Sequence, residues 1–193
     1  LSEDLRDNLA AKLRGHRPER VHVIPNFVDT ERVRPSDRDN AYRREFDLIG
    51  RTVVMYAGNV GLSQSLDLVV AAARRYQQSG RNDVMFVVNG GGSALEDLLE
   101  SARGLDNIRF VGMQPRERLS EVLAAADLHL VPLKTGLARS SVPSKLYSIL
   151  AAGRPVLASV DAFTEVPATN ERAGACVSVA PEDVDAFVAA LDA

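Results

Sequence analysis

Apolar residues in this chain cluster in short, nearly unbroken runs: TVVMYAG (52–58), DVMFVVNG (83–90), IRFVG (108–112), LHLVPL (128–133), PVLASV (155–160) and ACVSV (175–179). Runs of this length, rich in β-branched residues, predict strands, and the lack of polar alternation predicts a parallel sheet buried on both faces. Between the runs the apolar spacing becomes helical. Helices are expected from near Ser65, Ser93, Pro115 and Pro143, and over 161–168 and 181–191, with serine caps and first-turn prolines marking their starts. Strand and helix alternate from Thr52 onward, so the expected class is α/β, a doubly wound parallel sheet of about six strands.

Residues 1–50 follow another pattern. Leu5, Leu9 and Leu13 recur on one helical face, VHVI (21–24) reads as a strand, PNFVD (25–29) as a turn, and a charged stretch runs to Ile49. This reads as the end of a preceding domain and a linker over 1–35, before a main domain over 36–193. The chain is therefore expected to be a fragment of a longer protein. The apolar face left open on residues 1–29 is a candidate surface for pairing between copies.

Charge narrows the partners. The chain has 193 residues, 23 basic against 26 acidic, and a net charge of −3, with no basic stripe interleaved with aromatics. Nucleic acid is not an expected partner. Cys176 is the only cysteine and sits in what reads as a buried strand, so an intrachain disulfide and a cysteine metal cluster are both excluded. No apolar run approaches the ~20 residues that cross a bilayer. The expected location is cytoplasmic, or peripheral at the inner face of a membrane. His16, His22 and His129 lack metal-ligand spacing, and neither a G-x-S-x-G elbow nor a Walker lysine motif occurs. His129 reads as a strand residue, Arg154 as a solvated turn residue, and Gly153 as a helix C-cap.

In an open parallel sheet, ligands bind beyond the carboxyl ends of the strands, where helix N-termini present free N–H groups. Three junctions qualify. Ser93 and Glu96 have capping-box spacing, which would occupy that terminus with its own side chains. The glycines before them suit either a tight turn or a close ligand approach. The turn AGNVGLSQSLD (57–67) holds Asn59, Ser63 and Gln64 with no carboxylate before Asp67, and fits a phosphate or a plain capped turn. The third, SSVPSK (140–145), puts Lys145 in the first turn of a helix, where the macrodipole opposes a cation. No acidic residue lies between Lys134 and Asp161, and Lys134 and Arg139 add positive potential. A bound diphosphate would turn that repulsion into a charge-assisted contact.

These residues resemble the C-terminal half of glycosyltransferases of group 1 (family 4), which have the GT-B fold. VIPNFVDTERVRP (23–35), YAGNVGLSQSLDLVVAAA (56–73), NIRFVGMQPRERLSEVLAAADLHLVPL (107–133) and VPSKLYSILAAGRPVLAS (142–159) occur in the family's order. The resemblance implies a Rossmann-like domain, one half of a two-domain enzyme. It would hold a UDP- or GDP-linked sugar and transfer that sugar, with retention, to an acceptor glycan or lipid-linked saccharide bound by an N-terminal domain. It further implies Gly58, Asn59, Gln64, Pro143, Ser144 and Lys145 on the diphosphate, with Lys145 catalytic. Val111, Gly112 and Met113 would meet the base, Ser148 the ribose, and Ser140 and Ser141 the sugar. No cofactor and no metal are implied. Many relatives carry arginine and lysine in place of Asn59 and Gln64, and glutamates in place of Ser140 and Ser148. The P-S-K-L-Y form is similar to a branch that builds bacterial exopolysaccharide or O-antigen, in which Lys145 takes over charge neutralisation. A nucleotide-sugar epimerase, a non-catalytic nucleotide-sugar-binding domain and an α/β domain with an incidental lysine remain open.

Overall fold

The computed structural model describes residues 2–13, 21–138 and 141–193. Its six strands are β1 (Thr52–Ala57), β2 (Val84–Asn89), β3 (Ile108–Val111), β4 (Leu128–Pro132), β5 (Val156–Ser159) and β6 (Cys176–Val179). All pairings are parallel, in the order β3-β2-β1-β4-β5-β6. Each strand falls within a run that the apolar pattern predicts. The chain winds outward from β1 to β3 and then returns to lay β4 on the other side of β1. The loops leaving β1 and β4 therefore diverge, and a crevice opens between them.

The helices are α1 (Glu3–Lys12), α2 (Ala41–Glu45), α3 (Asp67–Gln78), α4 (Leu95–Ser101), α5 (Leu119–Ala124), α6 (Lys145–Ala151), α7 (Glu165–Ala173) and α8 (Val184–Leu191). Successive strand residues face opposite sides of the sheet. Tyr56, Phe86 and Val88 accordingly pack with Val69, Tyr76, Leu98 and Phe187 from α3, α4 and α8. Val53, Met55, Met85 and Val87 meet Tyr42, Val122 and Ala125 on the other face. The sheet is doubly wound, as the pattern implies.

Several expectations need correction. Residues 21–24 form no strand, and Ile24 is 70% exposed. Cys176 is only half-buried, since β6 forms one edge of the sheet. The helix expected over 161–168 begins at Glu165, because Asp161 is engaged elsewhere: its carboxylate accepts from the N–H groups of Gly136 and Ala138. The Ser93 and Glu96 capping box does not form. Gly92 and Ala94 are drawn to the β1 loop, with the Ala94 N–H on the Val60 carbonyl at 3.1 Å, and α4 starts after Ala94 without a side-chain cap. The serine cap expected at Ser65 is likewise absent from α3, whose cap position is Leu66.

The charged stretch before Ile49 is not a bare linker. It contains α2, capped by Asn40, whose side chain accepts from the Arg43 N–H, and it inserts Tyr42, Arg43 and Leu48 into the core. Arg154, expected to be solvated, is half-buried and donates to the Ser36 carbonyl. Gly153 does end α6 as expected, with φ +68° and its N–H on the Leu150 carbonyl.

Candidate functional site

A cleft of about 650 Å³ lies at the carboxyl ends of the central strands, where the winding reverses. It gathers Gly58, Asn59 and Gln64 from the β1–α3 turn, Met113 from beyond β3, and Ser141, Pro143, Ser144, Lys145 and Ser148 from the approach to α6 and its first turns. Two segments more than 70 residues apart in sequence thus share one wall. A larger groove of about 1030 Å³ runs along α7 and β6, but its charged lining is acidic, Asp161, Glu165, Glu171, which is unsuited to an anion.

Lys145 is the first residue of α6, with Ser144 at the cap position making no side-chain cap bond. Its Nζ lies 3.7 Å from the centroid of the Tyr56 ring, a cation–π contact. A Cβ built on Gly58 would come within 2.6 Å of that nitrogen, so the ammonium rests on the β1–α3 turn, where Gly58 adopts φ +144°. Burial pushes the Lys145 pKa down to about 7. Among the described residues no carboxylate forms a salt bridge with it, and its ammonium stands over the Tyr56 ring.

The turn that faces it is ordered from within. The Gln64 carboxamide oxygen accepts from the Gly61 N–H at 3.0 Å, and its nitrogen donates to Ser63 Oγ. Tyr56 donates its hydroxyl to the Asn59 carbonyl. Asn59 packs its amide against Gly61 and Gly92. These polar groups hold the turn's shape around the ammonium.

Other sequence candidates fare unevenly. Val111 is buried, its carbonyl accepts from the Gly90 N–H at 2.8 Å, and neither it nor Gly112 lines the cleft. Met113, 64% exposed, stands on the rim. Ser140 and Arg139 lie outside the described residues, as does His16. Lys134 is not in the cleft lining; it borders a small separate cavity beside Asp67 and Asp97. His129 is fully buried in β4 with Nε2 on the Leu123 carbonyl at 2.9 Å, and burial pushes its pKa down to about 4, which fits a neutral strand residue. Sequence reasoning missed Tyr56, Asn89 and Arg116 in the lining. A polar or aromatic residue ending a buried strand next to glycine was the available signal for the first two. Among the described residues, no three of His, Cys, Asp and Glu converge as a metal site would require. No described helix is long and apolar enough to cross a membrane.

The β2 loop supports the turn from behind. A methyl group on Gly90 would sit 1.8 Å from the Gly58 carbonyl oxygen, at φ +156°. Gly90→Ala is expected to cost roughly 1–3 kcal/mol of stability or more and to displace the Gly58 turn from Lys145. Urea denaturation checks this: an unchanged midpoint would mean that the two loops do not pack as described.

Residues 51–193, most of the chain, match the family described as glycosyl transferases group 1. Over 184 residues the chain is 34% identical to the colanic acid biosynthesis glycosyl transferase WcaI of Escherichia coli (strain K12), covering 92% of this chain and 44% of that one. The structure of WaaG, a glycosyltransferase involved in lipopolysaccharide biosynthesis, superposes with a TM-score of 0.77 at 21% identity, over 99% of this chain and 51% of WaaG. The Anabaena protein HepE, solved with UDP and glucose, gives 0.71 at 17% identity, over 95% of this chain and 50% of HepE. The chain thus spans about half the length of these relatives.

Proposed function

The chain belongs to the group 1 glycosyl transferases, and from that premise we propose that this domain holds the nucleoside diphosphate of a nucleotide-sugar donor. The whole protein would transfer the sugar, with retention, to a saccharide or lipid-linked acceptor in bacterial surface polysaccharide synthesis. One observation carries the reading: a lysine at a helix N-terminus, without a carboxylate partner among the described residues, pressed against a glycine turn at the switch point of the sheet. Such a cation lowers its energy by meeting an anion. The biosynthetic context of WcaI and the UDP bound to HepE point the same way.

In this mechanism the bond between the anomeric carbon and the diphosphate oxygen breaks. The sugar passes to an acceptor hydroxyl, whose proton is released. Negative charge grows on the departing diphosphate, and a preorganised cation at that place lowers the barrier. Lys145 supplies the cation, the N–H groups at the start of α6 add the positive end of a short helix dipole, and the Ser141 and Ser144 hydroxyls offer hydrogen bonds. The reading calls for no metal. The epimerase alternative requires acid and base carboxylates, and none lines the described cleft. A domain that binds the donor without turnover would share these contacts; full-length protein that binds UDP-sugar yet transfers nothing would favour it.

Proton linkage provides the test. Near pH 8 much of Lys145 is neutral in the free protein, because burial lowers its pKa to about 7. A diphosphate restores the charged form, so binding takes up protons. Calorimetric titration with UDP and GDP, in two buffers of different ionisation heat, is expected to show binding with fractional proton uptake at about pH 8 that fades below about pH 6. If neither nucleotide binds at millimolar concentration, the reading is overturned.

A further inference from the structure

Asn89 ends β2 at the floor of the cleft and is 4% exposed. Its neighbours across the sheet are Ala57 of β1 and Val111 of β3. It therefore lies about one strand spacing, ~4.8 Å, from the strand leading to Gly58 and the same from the strand leading to Met113. Its carbonyl accepts from the Gly58 N–H at 2.9 Å, which fixes the backbone. Its side chain is fixed as well. Tyr42 of α2, fully buried, donates its hydroxyl to Asn89 Oδ1 at 2.8 Å.

That bond keeps Oδ1 at the tyrosine and turns the amide nitrogen away from it. A free carboxamide can flip and offer either a donor or an acceptor. With Oδ1 held from behind by Tyr42, the NH2 group is what the cleft receives, and no described residue accepts from it. An amide donor held in place at the floor of a cleft gains a hydrogen bond from an acceptor placed opposite it, with little ordering left to do. A ribose hydroxyl can donate or accept and gains little from such a lock. A phosphate oxygen or a nucleobase carbonyl only accepts, and it needs a donor there.

We infer that Asn89 is a donor-binding residue, giving its amide N–H to an acceptor oxygen of the bound nucleoside diphosphate, and that Tyr42 is a positioning residue that holds the amide in this orientation. The inference rests on the nucleotide site proposed above. It also gives α2, which lies outside the alternating strand and helix pattern, a role in the site.

The experiment is a double-mutant cycle on UDP affinity, with Asn89→Ala, Tyr42→Phe and the pair, each checked for native circular dichroism and melting. Asn89→Ala is expected to weaken UDP about tenfold, the worth of one hydrogen bond to a charged or carbonyl oxygen. Tyr42→Phe is expected to weaken it less in the wild-type background and not at all once Asn89 is alanine. A purely structural Tyr42 would instead weaken both backgrounds equally. Parallel titrations with uridine 5′-monophosphate and with pyrophosphate assign the oxygen: a loss confined to the first places it on the base, a loss in pyrophosphate places it on the diphosphate. If wild-type protein binds UDP and Asn89→Ala stays within twofold of it, this inference fails while the site stands. If wild-type protein binds neither nucleotide, both fail.

Discussion

Replacing Lys145 with methionine is expected to weaken nucleoside diphosphate binding by more than tenfold and, at the same time, to raise the melting temperature of the domain at pH 6. Both effects have one cause. Burial holds the folded-state pKa of Lys145 near 7, well below its unfolded value of 10.5. Between these values the unfolded chain binds the extra proton, so the lysine's cost to stability grows as pH falls towards 7 and is fully present below it. Methionine keeps the unbranched apolar stem against Tyr56 and removes the charge. Affinity falls because the diphosphate loses its cation; a charge-assisted contact of this kind is worth about 1.5–3 kcal/mol, which is ten- to more than a hundredfold. Stability rises for the reason that functional groups often cost it. Calorimetry against UDP and thermal melts at pH 6 and pH 10 check both halves. If methionine lowers the melting point at pH 6, the ammonium is not held at a cost, and the argument for a missing anion collapses.

Arg43→Ala is expected to produce the largest loss of stability of any substitution considered, about 3 kcal/mol or more. Arg43 is 2% exposed. It donates through Nε to the Ala125 carbonyl at 2.7 Å and through Nη1 to the Arg51 carbonyl, and it pairs through Nη2 with Asp127 at 2.5 Å. Asp127 also accepts from the Val53 N–H at 2.8 Å and from Arg38 at 2.6 Å. Removing the guanidinium strands the carbonyls and leaves a partly buried carboxylate short of its nearest charge. Burial alone would raise the Asp127 pKa, but the Val53 N–H and the two arginines outweigh it, and the net shift is downward. A depressed carboxyl contributes stability that is present above its unfolded pKa of about 3.9 and is lost as pH falls through the folded value. Arg43→Ala should therefore lower the urea midpoint at pH 7 and move acid unfolding to higher pH. Lysine at this position reaches fewer of the acceptors and should recover only part of the loss. A variant with an unchanged midpoint would mean that α2 is not anchored as described.

The contrast between these two residues marks what could be read in advance. The six strands were legible because each is a short run of β-branched residues long enough to be buried on its own, and the parallel arrangement followed from the helices between them. Lys145 was legible because the conflict is local: a cation in the first turn of a helix with no acid nearby in sequence. Asn59, Gln64, Ser141, Ser144 and Ser148 line one cleft.

Arg43 looked like one more charge in a polar stretch, since its burial depends on an aspartate 84 residues away and on carbonyls that no local pattern announces. The capping box at Ser93 followed a valid local rule and failed, because the Val60 carbonyl took the N–H that starts the next turn. Residues 21–24 had the right composition for a strand but do not form one, since composition alone does not set strand pairing.

Sequence alone therefore determined the alternation of elements, the buried runs and a cation in an unfavourable place, all properties that short-range periodicity and the helix dipole impose within a few residues. Tertiary structure alone decided that the Gly58 turn lies against Lys145, that Tyr42 reaches across 47 residues to orient Asn89, and that α2 is core. These depend on which strands become neighbours when the chain reverses after β3, and hydrogen bonds and burial are set by that neighbourhood rather than by position along the chain.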